Sequence, residues 1–328
     1  MSAVTSPSTY PTNWPPQFGL VVPTYNPGLE AWAQWVQALQ SQNCKPMQVV
    51  VVDSGSTDGS VALSQQAGFT VLHTQAQNFN HGATRQWAVN QAFLTASPAP
   101  EVIVFLTQDA ILASPNALAE LLQAFQDPQV AAAYGRQLPK PQAHWLEAHT
   151  RAFNYPDTSR TVQLQDKASL GIKACFLSNS FSAFRLQALM QQGGFPAHLP
   201  LGEDTYMAAK LLLSGQSLRY QASAQVYHSH NYNGLQDFQR MFDTGVFHAQ
   251  NPWLLQNFGT AEGEGAKLVR SQWQALKQQP HFVSSLFQCL STNAFKLLGY
   301  KLGRAYQWLP RALVKKFAMN KVFWQQHT

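Results

Sequence analysis

Uninterrupted apolar runs and helical repeats alternate along the first third of the chain. Short runs at residues 18–22, 47–52 and 101–106 have the length and β-branched content of buried strands. Residues 29–42 instead repeat apolar side chains at three- and four-residue steps, as an amphipathic helix does. A second helix is expected to begin near residues 57–58. The pattern predicts a βαβαβ opening and therefore an α/β fold.

Polar residues follow each predicted strand directly. Thr24 and Tyr25 follow the first strand, Asp53 ends the second, and Gln108 and Asp109 follow the third. Ligands bind at the carboxyl edge of an open α/β sheet, so these side chains are expected near a binding site. Asp109 could hold a cation against a phosphate. The alternative is that it only caps a helix predicted to begin near residue 114.

The segment after the second strand, residues 53–60, is rich in Gly and Ser. Asp53 could accept hydrogen bonds from the N–H of a pyrimidine base or from a ribose hydroxyl, although such a segment can also be an ordinary βα loop. The chain contains neither GxGxxG nor GxxxxGK[ST]. This argues against dinucleotide oxidoreductases and P-loop enzymes.

Length and cysteine usage favour a cytoplasmic protein with one large domain. The 328 residues can form an α/β domain with a smaller appended part. The three cysteines lack the spacing of a disulfide framework or a zinc site. We find no signal peptide, and no apolar run reaches the roughly 20 residues that span a bilayer.

Charge is distributed unevenly along the chain. The last acidic residue is Glu264, and the 64 residues after it carry ten of the 22 Lys and Arg, so the first 264 residues hold 12 basic and 16 acidic residues. From Lys267 onward apolar side chains recur at helical steps, interrupted at Pro280 and Pro310. Such helices suit an anionic membrane surface. Alternatively, they pack on the large α/β domain or on a second subunit of a homo-oligomer.

These features predict three parts: a disordered leader at residues 1–16, a main α/β domain at 17–250 and a helical basic region at 251–328. The leader is rich in Ser, Thr and Pro. No nucleic-acid-binding motif accompanies the basic residues, so we expect no nucleic-acid partner. A long aperiodic stretch at residues 135–171 could form a lid over a ligand, but poor order is expected there.

Several short segments occur in order along the chain. They are residues 22–26 (VPTYN), 51–58 (VVDSGSTD) and 107–110 (TQDA), together with 80–85 (NHGATR), 202–205 (GEDT), 226–232 (VYHSHNY) and 242–248 (FDTGVFH). The first three resemble the GT-A fold of family 2 inverting glycosyltransferases. The others most closely resemble bacterial rhamnosyltransferases. The resemblance implies a mixed central sheet flanked by helices and a nucleotide-sugar donor.

The resemblance also implies nucleotide-sugar-binding residues. Thr24, Tyr25 and Asp53 would face the base and ribose, Arg85 would approach the nucleotide or its phosphates, and His81 would touch the donor sugar. A planar guanidinium suits a phosphate. Arg85 could instead be solvated, and His81 could be a loop histidine without a ligand.

At the family's metal site the usual acidic pair or triplet reads Gln108-Asp109 here, which leaves one certain carboxylate. Mg²⁺ or Mn²⁺ would bind Asp109 and a histidine and complete its shell with diphosphate oxygens and water. By resemblance His228 is the expected second ligand, with His230 as its substitute. Strand alternation would place both histidines on one face. A hydrogen-bonded pair without metal is the alternative.

The catalytic base implied by the resemblance is Asp204. Glu203 would bind the acceptor or orient Asp204, and His248 would add to the acceptor side. Both acids begin a predicted helix, where negative charge is favoured, so simple helix capping is the alternative.

The sequence therefore predicts a metal-dependent inverting glycosyltransferase. It would move L-rhamnose from dTDP-rhamnose to a saccharide or lipid-linked acceptor during synthesis of a cell-surface polysaccharide such as O-antigen, at the inner face of the cell membrane. Two alternatives remain: a UDP- or GDP-sugar donor with the same fold and mechanism, and a catalytically dead scaffold that binds nucleotide sugars.

Overall fold

The structure, a computed structural model, describes residues 15–326. The predicted leader lies outside the described residues except for its last two positions. Within the described range nine strands form one sheet. They are β1 (Phe18–Thr24), β2 (Gln48–Asp53), β3 (Thr70–His73), β4 (Val102–Leu106), β5 (Ile111–Leu112), β6 (Val130–Leu138), β7 (Arg160–Val162), β8 (Phe181–Arg185) and β9 (Ser217–Tyr227).

The helices of the described range surround this sheet and continue beyond it. They are α1 (Leu29–Gln40), α2 (Ser60–Gln66), α3 (His81–Ala92), α4 (Ala117–Leu122), α5 (Trp145–Asn154), α6 (Lys167–Leu170), α7 (Leu186–Gln191), α8 (Glu203–Leu213), α9 (Gly234–Gln250), α10 (Pro252–Phe258), α11 (Glu262–Leu276), α12 (Phe282–Arg304), α13 (Arg311–Phe317) and α14 (Lys321–Gln326).

The sheet is mixed, as predicted. Its order is β3-β2-β1-β4-β8-β6-β9-β5, and β7 pairs with β9. The first four strands are parallel, whereas β8 runs antiparallel to both of its neighbours. The parallel half brings the carboxyl ends of β1, β2 and β4 to one edge. In register, Thr24 lies opposite Asp53.

Two apolar layers cover the two faces of the sheet. On β1, Val21 faces the layer that contains α3 and α8, whereas Leu20 and Val22 face the layer that contains α1 and α4. Burial on both faces explains why the parallel strands are continuous apolar runs in the sequence. It also leaves the strand ends as the places where polar side chains can collect.

The basic C-terminal helices pack on the α/β domain through a close crossing of α9 and α12. A Cβ atom on Gly299 would lie 2.2 Å from the carbonyl oxygen of Phe238, and one on Gly303 would lie 2.0 Å from that of Phe242. Glycine therefore permits backbone contact between the two helices. Around it Phe238, Phe242 and Val314 belong to a third apolar cluster. In the described part of the chain, no helix has the length and apolar character needed to cross a membrane.

The expectation of poor order at residues 135–171 was wrong. This segment contains the end of β6, α5, β7 and α6. Two of its apolar side chains, Tyr155 and Val162, are buried in the apolar layer that contains α3 and α8 and hold the segment in place. Isolated apolar anchors leave no repeating pattern, so periodicity could not show that the segment is ordered.

Candidate active site

The loops after β1 and β2 are joined by hydrogen bonds. The side chain of Asn26 accepts from Thr57 N at 2.8 Å, and Asn26 N donates to Ser56 Oγ at 2.8 Å. Asp58 accepts from Gly28 N at 2.7 Å and from the Ser60 hydroxyl at 2.6 Å. Asp58 thus ties the first loop to the start of α2, so both loops form one rigid edge.

Asp53 lies buried beneath that edge. Its carboxylate accepts from Gly55 N at 2.9 Å and from Ser56 N at 3.1 Å. His73 Nδ1 lies 3.7 Å from the same carboxylate. Thr24 is buried beside it in register, and the Tyr25 side chain is 52% exposed. Asp53 therefore shapes the loop that follows it, while Tyr25 remains accessible at the edge.

The Gln108 side chain binds the backbone of the loop after β1 and does not bind the neighbouring Asp109 carboxylate. Its Oε1 accepts from Tyr25 N at 2.7 Å, and its Nε2 donates to Tyr25 O at 3.2 Å. An ionised carboxylate at this position could accept from Tyr25 N but could not donate to Tyr25 O. The departure from an acidic pair therefore has a structural reason at position 108.

Asp109, His228 and His230 come together as the metal prediction expected. The Nε2 atoms of His228 and His230 each lie 3.4 Å from Asp109 Oδ2. These two nitrogens lie 3.1 Å apart. However, the predicted strand placement was wrong: β9 ends at Tyr227 and both histidines follow it. Their rings stand nearly perpendicular, at 88°, so they converge from a loop and not from one strand face.

Burial and neighbouring charges determine the protonation of this cluster. Burial alone would raise the pKa of Asp109, but His228 and His230 hold that pKa well below its usual range. Burial lowers the pKa of His228, and burial together with the adjacent His228 lowers that of His230 to about 4. At neutral pH the cluster therefore offers one carboxylate and two uncharged imidazoles.

This donor set fits a divalent cation. The three possible ligand atoms all lie within 4.8 Å of one another. His228 Nδ1 lies 2.8 Å from Gln137 Oε1, which places the ring hydrogen on Nδ1 and leaves the lone pair of Nε2 facing the cluster. Carboxylate oxygen and neutral imidazole nitrogen are both ligands for divalent metals. Asp109, His228 and His230 are therefore the candidate metal ligands of this chain.

A second group of polar side chains lies at the start of α8. Glu203 Oε1 accepts from Arg85 Nη1 at 3.1 Å and from Asn179 Nδ2 at 3.0 Å. Asp204 accepts from Asn179 N at 3.1 Å and from Thr205 N at 2.7 Å. Asn179 thus touches both acids. It was not predicted from the sequence, since nothing in the segment around residue 179 marks it as a partner of residues 203–204.

The two adjacent acids have opposite pKa shifts. Burial, followed by the negative charge of Glu203, raises the pKa of Asp204 to about 7. Burial also opposes ionisation of Glu203, but Arg85 and His81 lower its pKa below the usual value. Glu203 therefore stays charged in its ion pair. Asp204 is the acid that can exchange a proton near neutral pH.

The sequence matches the model of a known protein family. The sequence profile described as "Glycosyl transferase family 2" matches residues 20–193. The chain belongs to glycosyltransferase family 2. This enzyme is 44% identical to two O-antigen chain rhamnosyltransferases, WbaN of Salmonella anatum and RfbN of Salmonella typhimurium. The alignments cover 94% and 93% of this chain and 96% and 95% of those proteins.

Solved glycosyltransferase structures share the fold. A mannosyltransferase from Pyrobaculum calidifontis, solved with GDP-mannose and Mn²⁺, has a TM-score of 0.54 at 19% identity, covering 94% of this chain and 85% of its own. TarS of Staphylococcus aureus, solved with UDP-GlcNAc, has a TM-score of 0.55 at 15% identity, covering 95% and 92%. The glycosyltransferase has the GT-A fold that its sequence predicted.

Arg85 of the glycosyltransferase is buried, which excludes the alternative of a solvated surface arginine. Its Nη1 donates to Glu203 and, at 2.9 Å, to His81 O. Its Nε is buried without a hydrogen-bond partner in the described range. His81 begins α3, and burial lowers its pKa to about 4. Contacts of His81 and Arg85 with a donor remain predictions.

His248 lies between α9 and α12 of the glycosyltransferase. Its Nδ1 lies 3.0 Å from the Tyr300 hydroxyl, and its carbonyl oxygen accepts from Arg304 at 3.1 Å. Burial and Arg304 lower the pKa of His248 to about 4. No hydrogen bond within residues 15–326 joins it to Glu203 or Asp204. Its place on the acceptor side remains a prediction.

Proposed function

We propose that this enzyme transfers a rhamnosyl residue to a growing O-antigen chain. The observation that carries the proposal is 44% identity to two O-antigen chain rhamnosyltransferases across nearly the whole chain. Of the possible donors we favour dTDP-L-rhamnose, and of the acceptors a saccharide or lipid-linked saccharide. The rigid edge around Thr24, Tyr25 and Asp53 would receive the nucleotide.

The proposed reaction is a single displacement that inverts the anomeric centre. Asp204 takes the proton from an acceptor hydroxyl while that oxygen attacks the anomeric carbon. The bond between this carbon and the diphosphate oxygen breaks, and the nucleoside diphosphate leaves with the bonding electrons. A pKa near 7 suits Asp204 for this role, since a general base acts best when its pKa is close to the working pH. Glu203 orients it through Asn179.

Asp109, His228 and His230 would hold Mg²⁺ or Mn²⁺. When bound there, the cation would offset the negative charge that develops on the departing diphosphate. Asp109 would supply the anionic ligand, and the two uncharged imidazoles would add ligands without adding charge. The remaining positions would be left to diphosphate oxygens and water.

We also propose that the enzyme works at the cytoplasmic face of an anionic membrane, where a lipid-linked acceptor would be located. On α12 an exposed apolar stripe follows helical spacing: Val283 is 78% exposed, Phe287 74% and Leu290 56%. Trp308, 89% exposed, precedes exposed basic side chains on α13. Apolar side chains next to Lys and Arg suit the interface of an anionic bilayer.

Thermal unfolding with nucleotides would test the donor and the metal together. The protein would be heated with dTDP, UDP or GDP, each with and without Mn²⁺, because a ligand that binds only the folded state raises the midpoint. We expect dTDP with Mn²⁺ to give the largest increase and Asp109→Ala to abolish it. A matching Asp157→Ala control changes an exposed acid elsewhere.

The chemical step would be tested separately with purified enzyme, dTDP-L-rhamnose and a lipid-linked O-antigen precursor. Mass spectrometry should detect the mass of one added deoxyhexose, and Asp204→Asn should remove that product. A larger midpoint shift with UDP or GDP would overturn the dTDP assignment but keep the mechanism. Binding of dTDP without sugar transfer to any saccharide acceptor would favour the scaffold alternative.

A further inference from the structure

Gln137 lies directly behind the candidate metal site. It is 2% exposed, near the end of β6, and its side chain makes three hydrogen bonds. The Oε1 atom accepts from His228 Nδ1 at 2.8 Å and also from the guanidinium of Arg151. The Nε2 atom donates to Ser178 Oγ at 3.0 Å. The side chain has no freedom to turn without losing these bonds.

Arg151 settles which end of the amide faces His228. A guanidinium N–H can only donate, so the Gln137 atom that it contacts must be the carbonyl oxygen. The same oxygen therefore accepts from His228, which keeps the hydrogen of that imidazole on Nδ1. The Nε2 lone pair then faces Asp109, which lies 3.4 Å away. Arg151 is held in turn by Glu147 at 2.7 Å.

The geometry points to Gln137 as the positioning residue that makes His228 a metal ligand. It fixes both the tautomer and the direction of the ring, as a carbonyl or carboxylate behind a metal-bound histidine does. His230 has no comparable partner, because the hydrogen bonds and ion pairs of its ring within the described residues all involve Nε2 and none involves Nδ1. His228 is therefore the ligand for which the fold prepares a fixed orientation.

The contact from Gln137 to Ser178 extends this role toward the catalytic base. Ser178 directly precedes Asn179, whose backbone N–H donates to Asp204 and whose side chain donates to Glu203. One buried amide thus contacts a candidate metal ligand and the segment that holds the candidate base. The inference rests on the proposed function, because it takes the Asp109 cluster to be a metal site.

Metal affinity, measured without substrate, would test the inference. Mn²⁺ would be titrated into wild-type enzyme and followed by electron paramagnetic resonance of the free ion. Gln137→Leu removes the acceptor at similar volume, and we expect about 10- to 100-fold weaker Mn²⁺ binding. Gln137→Glu keeps an oxygen toward His228 and Arg151, so it should bind Mn²⁺ at least as tightly as wild type.

Ser178→Ala is the matched control. It removes the hydrogen bond between Gln137 and Ser178 but leaves the contacts of Gln137 with His228 and Arg151. Its Mn²⁺ affinity should therefore stay close to that of wild type. A purely structural role for Gln137 would instead weaken binding in the Leu and Glu variants alike. The midpoint of thermal unfolding, recorded for each variant, reveals any general loss of folding.

The outcomes separate the two proposals. If wild type binds Mn²⁺ and Gln137→Leu binds it equally well, Gln137 is not a positioning residue, and the metal assignment stands. If Gln137→Leu and Gln137→Glu lose affinity together with thermal stability, the inference is also wrong. If wild type binds no Mn²⁺ or Mg²⁺, the metal assignment fails and the inference fails with it.

Discussion

At the scale of single residues, the two adjacent acids of α8 differ in their hydrogen-bond partners. Glu203 accepts a hydrogen bond from the guanidinium of Arg85, whereas Asp204 accepts only from backbone N–H groups within residues 15–326. The different pKa values follow from this difference and from their shared burial. Capping of a helix start needs no buried arginine, so capping by itself does not explain the contact between Glu203 and Arg85.

The role of Asp204 gives the first prediction. Asp204→Asn keeps the size of the side chain but removes its basicity, so the rate of transfer should fall about 10²- to 10⁴-fold, the usual contribution of a general base. Binding of dTDP, followed by the midpoint of thermal unfolding, should change little. Asp157→Asn serves as a control in an exposed loop. An Asp204→Asn enzyme as active as wild type would rule out this base.

The pKa of Asp204 gives a prediction about pH. Because burial and Glu203 raise that pKa to about 7, the carboxylate form is lost below this value, and kcat/KM should rise with pH through about 7. Glu203→Gln removes the neighbouring negative charge and should move the rising limb to lower pH. A limb that stays in place or moves upward in this variant would contradict the electrostatic explanation.

At the scale of elements, Gln108 joins the loop after β4 to the loop after β1. Gln108→Glu restores the acidic character usual in the family, yet it cannot donate to Tyr25 O. We expect Gln108→Glu to lower the free energy of unfolding by about 1 kcal/mol, the usual net value of one hydrogen bond, and to weaken dTDP binding. Chemical denaturation and the dTDP-induced midpoint shift measure both effects.

The exposed Gln126→Glu variant is a control for the added charge. If Gln108→Glu instead strengthens the dependence of dTDP binding on Mn²⁺, then position 108 ligates the metal, and its contact with Tyr25 is not its main role.

The crossing of α9 and α12 gives a second prediction at this scale. Gly303→Ala would place a Cβ atom 2.0 Å from the carbonyl oxygen of Phe242. The helices must then separate, at a cost of about 1–3 kcal/mol in the free energy of unfolding. Gly265→Ala in α11 is the matched control, because a Cβ there meets nothing within 4 Å. Equal stability of the two variants would show that the close crossing does not hold the helices together.

At the scale of the whole molecule, α12 lines a pocket beside His230 and also carries exposed apolar side chains. A small polar pocket beside His230 is lined by Glu147 of α5, Asp237 of α9, and Gln288, Thr292 and Lys296 of α12, among others. Lys296 lies 3.4 Å from Asp237. The apolar stripe of α12 therefore lies on the same helix that lines this pocket, so the proposed membrane contact would bring a lipid-linked acceptor close to His230.

Vesicle binding would test this arrangement. The protein should sediment with vesicles of anionic phospholipid and much less with vesicles of neutral phosphatidylcholine. Reversing Lys315 and Lys316 to Glu should weaken binding by at least about 2 kcal/mol, given roughly 1 kcal/mol per basic residue near such a surface. Lys45→Glu changes an exposed lysine between α1 and β2, outside the C-terminal helices, and should bind as wild type does. Equal binding by all variants would exclude the C-terminal surface.

The sequence by itself determined the family and the elements of the first third of the chain. Short apolar runs rich in β-branched residues fit strands covered on both faces, and helical repeats fit helices with one buried face, so local spacing predicted the α/β opening. Asp109, His228, Glu203 and Asp204 were predicted as site residues because each stands in a short motif.

The partners of these residues depended on the tertiary structure. Gln137 and His228 are 91 positions apart, and Gln108 meets Tyr25 across 83. A hydrogen bond between distant elements leaves no period and no motif in the sequence. Even the two histidines, although named in advance, converge because β9 stops at Tyr227 and the chain turns. Short local motifs named the candidate site residues, and packing of the sheet decided which atoms they face.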